Sequence, residues 1–336
     1  MRPAFIGLSG HSLTDDERRF LLEAQPAGII LFARNCQDPA QLKALTDSLR
    51  DLFGRDDLPI LIDQEGGKVA RLKPPFWPVF PPGAAFAALY EIAPISAIEA
   101  ARLNGLALAS ALAEAGVTVD CAPVLDLRQA GAHDVIGDRA FGDEPMRVAA
   151  LGRGLLDGLR AGGVVGVVKH MPGHGRARAD SHVELPVVEA DAEALESDLA
   201  PFRSLRDAPM AMTAHVLYRA WDPERCATVS PTVIGDIIRG RIGFDGLLMS
   251  DDIGMEALDG TLGERARAAI VAGCDVVLHC SGRIEDSEAV IAALDEIDEA
   301  ARERMARAMA WPTPGADQPG CADLAARRDA LLSLIA

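Results

Sequence analysis

Val164–Val187, VVGVVKHMPGHGRARADSHVELPV, is the stretch on which the reading of this chain turns. It opens with the apolar, β-branched run Val164–Val168, the pattern of a strand buried on both faces of a parallel sheet. The run ends at Lys169 and His170. Beyond them the composition changes to a Gly-, Ala- and Arg-rich loop that carries His174, Asp180 and His182 between Pro172 and Pro186. Loops of this length inside compact domains are functional or disordered, and three ionisable groups at the end of a buried strand favour function. The same composition gives the loop little to pack with, so a segment 171–185 that closes over a ligand is expected.

Working outward, seven further apolar runs alternate with helical patterns. Ala4–Leu8, Gly28–Phe32, Leu58–Ile62, Val117–Cys121, Ala211–His215, Gly246–Ser250 and Asp275–His279 read as strands. Helices are expected from Thr14, as N-cap, to Ala24, and over about 39–53, 95–115, 145–161, 192–205, 231–239 and 264–272. One more runs to about Met309. A Pro/Gly-rich linker, 311–320, precedes a closing helix over 322–334. Eight strands each followed by a helix predict an α/β fold, a single (β/α)8 TIM-type barrel over 1–310, with 311–336 forming a linker and a C-terminal helix packed on it. An open doubly wound sheet would require a phosphate-binding glycine turn after the first strand, and Gly7–Leu8–Ser9–Gly10 matches that fingerprint poorly.

Composition narrows the class of partner. The 336 residues carry a net charge of −17, which repels nucleic-acid phosphates and anionic membrane surfaces. Cys36, Cys121, Cys226, Cys274, Cys280 and Cys321 show no CxxC pairing and read as small buried hydrophobes of a reducing compartment. The N-terminal apolar run is too short for a signal peptide. A cytoplasmic monomer acting on a small molecule, without nucleic acid, membrane or cofactor, is the expectation.

Polar residues collect at the strand ends, where barrels place active sites: Asp63, Asp120, Lys169, His170, His215, Asp251 and His279. Each alone has an ordinary reading. An isolated DxH is most often a solvated turn pair, and Asp251 could be a nucleophile, a metal ligand or a helix cap. Arg71, Arg139 and Lys169 could be surface charges, and His215 and His279 read as satisfied rim histidines. Asp180 and His182 are spaced so that the carboxylate can fix the imidazole tautomer and raise its basicity, as a general acid and base requires. His170, His174, Asp180, His182, His215 and Asp251 are also metal-ligand types, which keeps a metal-dependent hydrolase open, although no HxH or HExxH spacing is present.

The run Lys169–His170–Met171–Pro172–Gly173–His174–Gly175, with Asp180–Ser181–His182 four residues later, resembles the KH-x-PGHG-x4-D-[ST]-H pattern of family 3 glycoside hydrolases of the β-N-acetylglucosaminidase type. Asp63–Gln64–Glu65–Gly66–Gly67 with Arg71, Ile136–Phe141, Met212–His215 and Ser250–Met255 resemble further blocks of that family. Met171, Lys68 and Ile253–Gly254 are mild departures.

The resemblance implies a retaining exo-glycosidase that removes terminal N-acetylglucosamine from peptidoglycan fragments in cell-wall recycling. Specificity of the β-glucosidase kind is the alternative within the family. Asp251 would be the nucleophile, and His182, oriented by Asp180, the acid and base. Asp63, Arg71, Arg139, Lys169 and His170 would bind the sugar. No metal is implied, and Asp252 is left as a capping or supporting group.

Overall fold

The computed structural model describes residues 1–129, 131, 133–181, 183–315 and 318–335. Its ten strands in chain order are β1 (Arg2–Gly7), β2 (Pro26–Leu31), β3 (Ile60–Ile62), β4 (Val119–Asp120), β5 (Val165–Met171), β6 (Val187–Val188), β7 (Met210–Thr213), β8 (Leu217–Tyr218), β9 (Leu247–Asp252) and β10 (Val276–His279). Eight of them close a parallel barrel in the order β1-β10-β9-β7-β5-β4-β3-β2, and β6 pairs with β8 in a separate two-stranded sheet. Closure is made by the pairing of Ala4, Phe5 and Ile6 with Val277, Leu278 and His279.

The alternation of side chains along each strand divides the core in two. Phe5, Ile30, Leu61, Val119, Val165, Val167, Met210, Met212, Leu247, Met249, Val276 and Leu278 fill the barrel interior. Their neighbours Ala4, Ile29, Ile60, Val168, Ala211, Leu248 and Val277 pack outward with the surrounding helices. This is why the strands read as unbroken apolar runs. It also decides the site, because the next inward position beyond the apolar layer is Asp63 after Leu61, Lys169 after Val167 and Asp251 after Met249.

Local signals set the helix ends. Thr14 caps Asp15–Ala24 in a reciprocal capping box with Glu17, and Asp38 caps Pro39–Phe53. The 95–115 pattern is found as Pro94–Glu114, preceded by a helix not expected from the sequence, Gly83–Ile92; Pro94 starts a new helix at its first turn. The single helix expected up to Met309 is two, Ile284–Ala292 and Glu299–Met309, because the Asp298 carboxylate accepts the Ala301 N–H and begins the second. The 231–239 helix is found as Val233–Ile242, wound with the wider i→i+5 spacing, and stops at Gly243 in the left-handed region (φ 77°). The small β6–β8 sheet was not legible in the sequence.

The closing helix, Cys321–Leu332, lies on Pro94–Glu114. Its Arg328 is buried, donates from Nη1 to Asn104 Oδ1 at 2.8 Å and from Nη2 to the Val79 carbonyl at 3.2 Å, and covers the Phe80 ring. Arg328→Met keeps the stem and strands the Asn104 and Val79 acceptors, at an expected cost of about 2 kcal/mol. Urea titration checks this, and an unchanged midpoint would show that the clasp contributes nothing. Cys121, Cys226, Cys274 and Cys280 are buried as expected, whereas Cys36 and Cys321 are half-buried.

Candidate active site

A cleft of about 260 Å³ opens at the C-terminal mouth of the barrel, walled by Asp63, Arg71, Arg139, Lys169, His170 and Asp251. Its apolar floor includes Met212 and Leu278, with Phe32 and Met255 among the walls.

Its charged side is a tight network. Lys169 Nζ lies 2.9 Å from Asp63 Oδ1 and 2.6 Å from Glu65 Oε1. Arg71 Nη2 donates to Asp63 Oδ2 at 3.1 Å, and Arg139 grips both Glu65 oxygens at 2.8 Å. Desolvation would raise the Glu65 carboxyl, but Arg139 and Lys169 outweigh it and hold it far below the ordinary glutamate value. Desolvation would likewise lower the Lys169 ammonium, yet Asp63 and Glu65 keep it above the usual lysine range. Both charges therefore persist at neutral pH, leaving fixed donors and acceptors of the kind that read sugar hydroxyls.

Glu65 was quoted as part of a block but not assigned a role from the sequence. Its bidentate clasp on Arg139 is visible only across the barrel mouth. Glu65→Gln removes the charge that orients both Arg139 and Lys169, and is expected to lower kcat/KM about 100-fold, chiefly through KM. A KM within twofold of the parent would remove Glu65 from the site. Asp63 and Glu65 both titrate lower in the folded protein than in the unfolded chain. Their stabilising contribution is therefore complete above about pH 5 and is lost as pH falls through the unfolded values toward the lower folded ones. The melting temperature should drop between about pH 5 and pH 3 in the parent and drop less in Glu65→Gln.

Strand β5 runs on through Lys169, His170 and Met171, three residues past the end of the apolar run. His170 is oriented from behind: Asp126 Oδ2 lies 2.6 Å from its Nδ1 and Asp126 Oδ1 accepts its N–H at 3.2 Å. Asp126 also accepts the His174 N–H at 2.6 Å. Asp126 received no role from the sequence, since only the fold brings it beneath β5. The first part of the following loop is packed rather than loose. The Tyr218 hydroxyl donates to the Gly173 carbonyl, Arg176 pairs with Asp198, and Gly175 lies so close to the Leu127 backbone that a Cβ would not fit.

His174 is buried, with Nε2 3.3 Å from Ser181 Oγ and Nδ1 without a partner among the described residues. Burial, with His170 beside it, pushes it down to about 4, so it is neutral. Ser181 is part of the cleft wall, and Asp180 precedes it at a turn where its carbonyl accepts from Val183 and Glu184. His182 lies outside the described residues.

On the opposite wall Asp251 is the residue before last of β9, followed by Asp252. Desolvation would raise the Asp251 carboxyl, but the His215 and His170 rings, which act as charges only in the acid range where a carboxyl titrates, together with the Asp252 N–H and Lys169, hold it below the ordinary aspartate value. It is an anion facing a monosaccharide-sized space. His215 and His279 stand at the rim as expected; His215 is bonded through both nitrogens, whereas among the described residues His279 is bonded only through Nε2, to Ser281, with Nδ1 3.8 Å from Asp252 Oδ1. Asp120, expected at the rim, turns its carboxyl under the site, where Oδ1 accepts the Gln64 N–H and burial holds it well above the usual range. Among the described residues no group of three or more His, Cys, Asp or Glu is arranged to hold a metal ion.

A parallel eight-stranded barrel with a carboxylate and a fixed set of sugar-type donors at its mouth has the organisation of a glycoside hydrolase. The chain matches the glycosyl hydrolase family 3 N-terminal domain over residues 6–310 and belongs to that family. It is 46% identical over 284 residues to the beta-hexosaminidase of Alkalilimnicola ehrlichii, covering 83% of this chain and 80% of that one. To the beta-hexosaminidase of Thiobacillus denitrificans it is 41% identical over 316 residues, 92% and 87% of the two chains. In structure it is similar to NagZ from Neisseria gonorrhoeae in complex with N-trifluoroacetyl-D-glucosamine, with a TM-score of 0.87, 32% identity and coverage of 100% and 98%.

Proposed function

We infer that this chain is a β-N-acetylhexosaminidase that releases terminal N-acetylglucosamine from peptidoglycan fragments, such as its 1,6-anhydro-N-acetylmuramic acid conjugates, with retention of configuration. The carrying observation is the Asp251 carboxylate set against the Asp63, Arg71, Arg139, Lys169 and His170 cluster in a cleft sized for one sugar ring. Family membership and the beta-hexosaminidase relatives support it.

In the first step an Asp251 oxygen attacks the anomeric carbon while the bond to the aglycone oxygen breaks, and that oxygen takes a proton from His182. In the second, His182 accepts a proton from water, the water oxygen attacks the anomeric carbon, and the bond to Asp251 breaks. Asp180 orients His182, and the charged cluster spends binding energy on placing the ring. Asp252 supports Asp251 rather than reacting. A second groove of about 570 Å³, sharing Ile136 with the sugar cleft and lined by Arg128, His133 and Arg147, leaves room beside it for a larger aglycone. None of the described helices is long and apolar enough to cross a membrane, and recycling of wall fragments places the enzyme in the cytoplasm.

The test is release of p-nitrophenol from its β-N-acetylglucosaminide and of N-acetylglucosamine from the anhydro-disaccharide, each with and without chelator. Chelator-insensitive turnover of both is expected. Turnover of the plain β-glucoside alone, or turnover that requires metal, would overturn the reading.

A further inference from the structure

We propose that His215 and Asp252 form a clamp that holds the Asp251 carboxylate in its attacking position, with the tautomer of His215 imposed by the hydroxyls of Thr213 and Thr228. This rests on the reading of Asp251 as nucleophile.

Residue 252 is tied down at every polar group but one. Its N–H donates to Asp251 Oδ1 at 2.8 Å, which fixes one oxygen of the nucleophile against the backbone. Its carbonyl accepts from His215 Nε2 at 2.9 Å. Its Oδ1 accepts from the Gly254 N–H at 2.9 Å and from the Cys280 N–H at 3.2 Å, binding the end of β9 to the end of β10. The peptide that follows Asp251 is thus held from the segment just after β7, from the residue after β10 and from its own turn, where the Met255 N–H also donates to the Asp252 carbonyl at 3.1 Å. A nucleophile at the last residues of a strand is otherwise free to rotate with the loop beyond it.

The Asp252 carbonyl selects one form of the neutral His215 ring. A carbonyl only accepts, so Nε2 must carry the proton toward Asp252. In the neutral ring Nδ1 then holds a lone pair and needs a donor, and Thr228 Oγ1 lies 2.7 Å away. The Ala214 carbonyl also lies 3.1 Å from Thr228 Oγ1, so the hydroxyl proton is directed mainly along the shorter contact to Nδ1, and the Thr228 oxygen is then placed to accept from Thr213 Oγ1 at 2.8 Å. The chain Thr213 to Thr228 to His215 to the Asp252 carbonyl therefore runs in one direction. Thr213, His215 and Thr228 are fully buried, so no solvent competes. Desolvation also lowers the His215 pKa, which keeps the ring neutral. With the other tautomer, the Nε2 lone pair would face the carbonyl, and the His215 arm of the clamp would be lost while the Met255, Gly254 and Cys280 N–H bonds remain.

The experiment compares Thr228→Val, which keeps the shape and removes the donor, with Thr228→Ser, which keeps the hydroxyl. Readouts are kcat and KM on p-nitrophenyl β-N-acetylglucosaminide, the rate of covalent labelling by 5-fluoro-N-acetylglucosaminyl fluoride followed by mass, and the affinity for N-acetylglucosamine. Histidine 15N spectra are taken in parallel, with His215→Asn used to assign the signal.

Thr228→Val should slow labelling and kcat by about 10- to 100-fold while product affinity stays within about twofold, as expected for a displaced nucleophile in an intact sugar pocket. Thr228→Ser should restore the rate, and His215 should show the Nε2–H form in the parent. Parental labelling in Thr228→Val, equal losses in labelling and product affinity, or an Nδ1–H signal for His215 would overturn the clamp. If Thr228→Val does not fold, Asp252→Asn against Asp252→Ala decides, since only asparagine keeps the Oδ1 acceptor; equal rates would overturn the proposal. Asp251→Ala separates the two readings. Labelling or turnover surviving there removes the nucleophile assignment itself, whereas its loss beside a parental Thr228→Val removes only the clamp.

Discussion

Asp251→Ala is expected to lower kcat on p-nitrophenyl β-N-acetylglucosaminide by roughly 10⁴-fold or more, the scale on which removal of a nucleophile acts. Affinity for N-acetylglucosamine should change little, because Asp63, Arg71, Arg139 and Lys169 form their contacts on the other side of the cleft. The direction follows from charge as well as position. The carboxyl is held below its ordinary value, so it is anionic at neutral pH and available to bond to an electron-poor anomeric carbon. Mass analysis after reaction with a slow fluorosugar should find one adduct on the parent protein and none on the variant. Turnover within tenfold of the parent would mean that another group attacks, and water activated without a covalent step would then invert the anomeric centre.

The second large effect belongs to the acid and base. His182→Ala should slow release from the anhydro-disaccharide by about 10²- to 10⁴-fold, because an alkoxide leaving group needs its proton as the bond breaks. The p-nitrophenyl glycoside should suffer much less in its first step, since p-nitrophenolate departs unprotonated. The covalent intermediate should then build up as a burst, because deglycosylation still lacks its base. Asp180→Asn should show the same pattern more weakly, through loss of the charge that stabilises the imidazolium. Equal losses on both substrates, with no burst, would refute this division of labour.

How much of this was readable beforehand varies by residue. The eight apolar runs are strands because burial on both faces leaves no polar alternation to confuse them, and their order forces a barrel once each is followed by a helix. The ends were less legible. Strand β5 continues through Lys169 to Met171 although its composition changes at Lys169, because alternation carries that side chain inward and its charge is met by Asp63 and Glu65. Composition alone made the loop after it look loosely packed, yet Asp126, Leu127, Asp198 and Tyr218, distant in sequence, hold its first residues.

The sequence by itself determined the barrel, the family resemblance and six residues that line the cleft, since each of these is written in local pattern: apolar runs, caps and motif spacing. Only the tertiary structure decided which groups support them. Glu65 grips Arg139 across 74 positions, Asp126 meets His170 across 44, and His215 reaches the Asp252 carbonyl across 37. Hydrogen bonds act over about 3 Å, and nothing in the spacing of a chain says which distant residues will come that close until the barrel shuts.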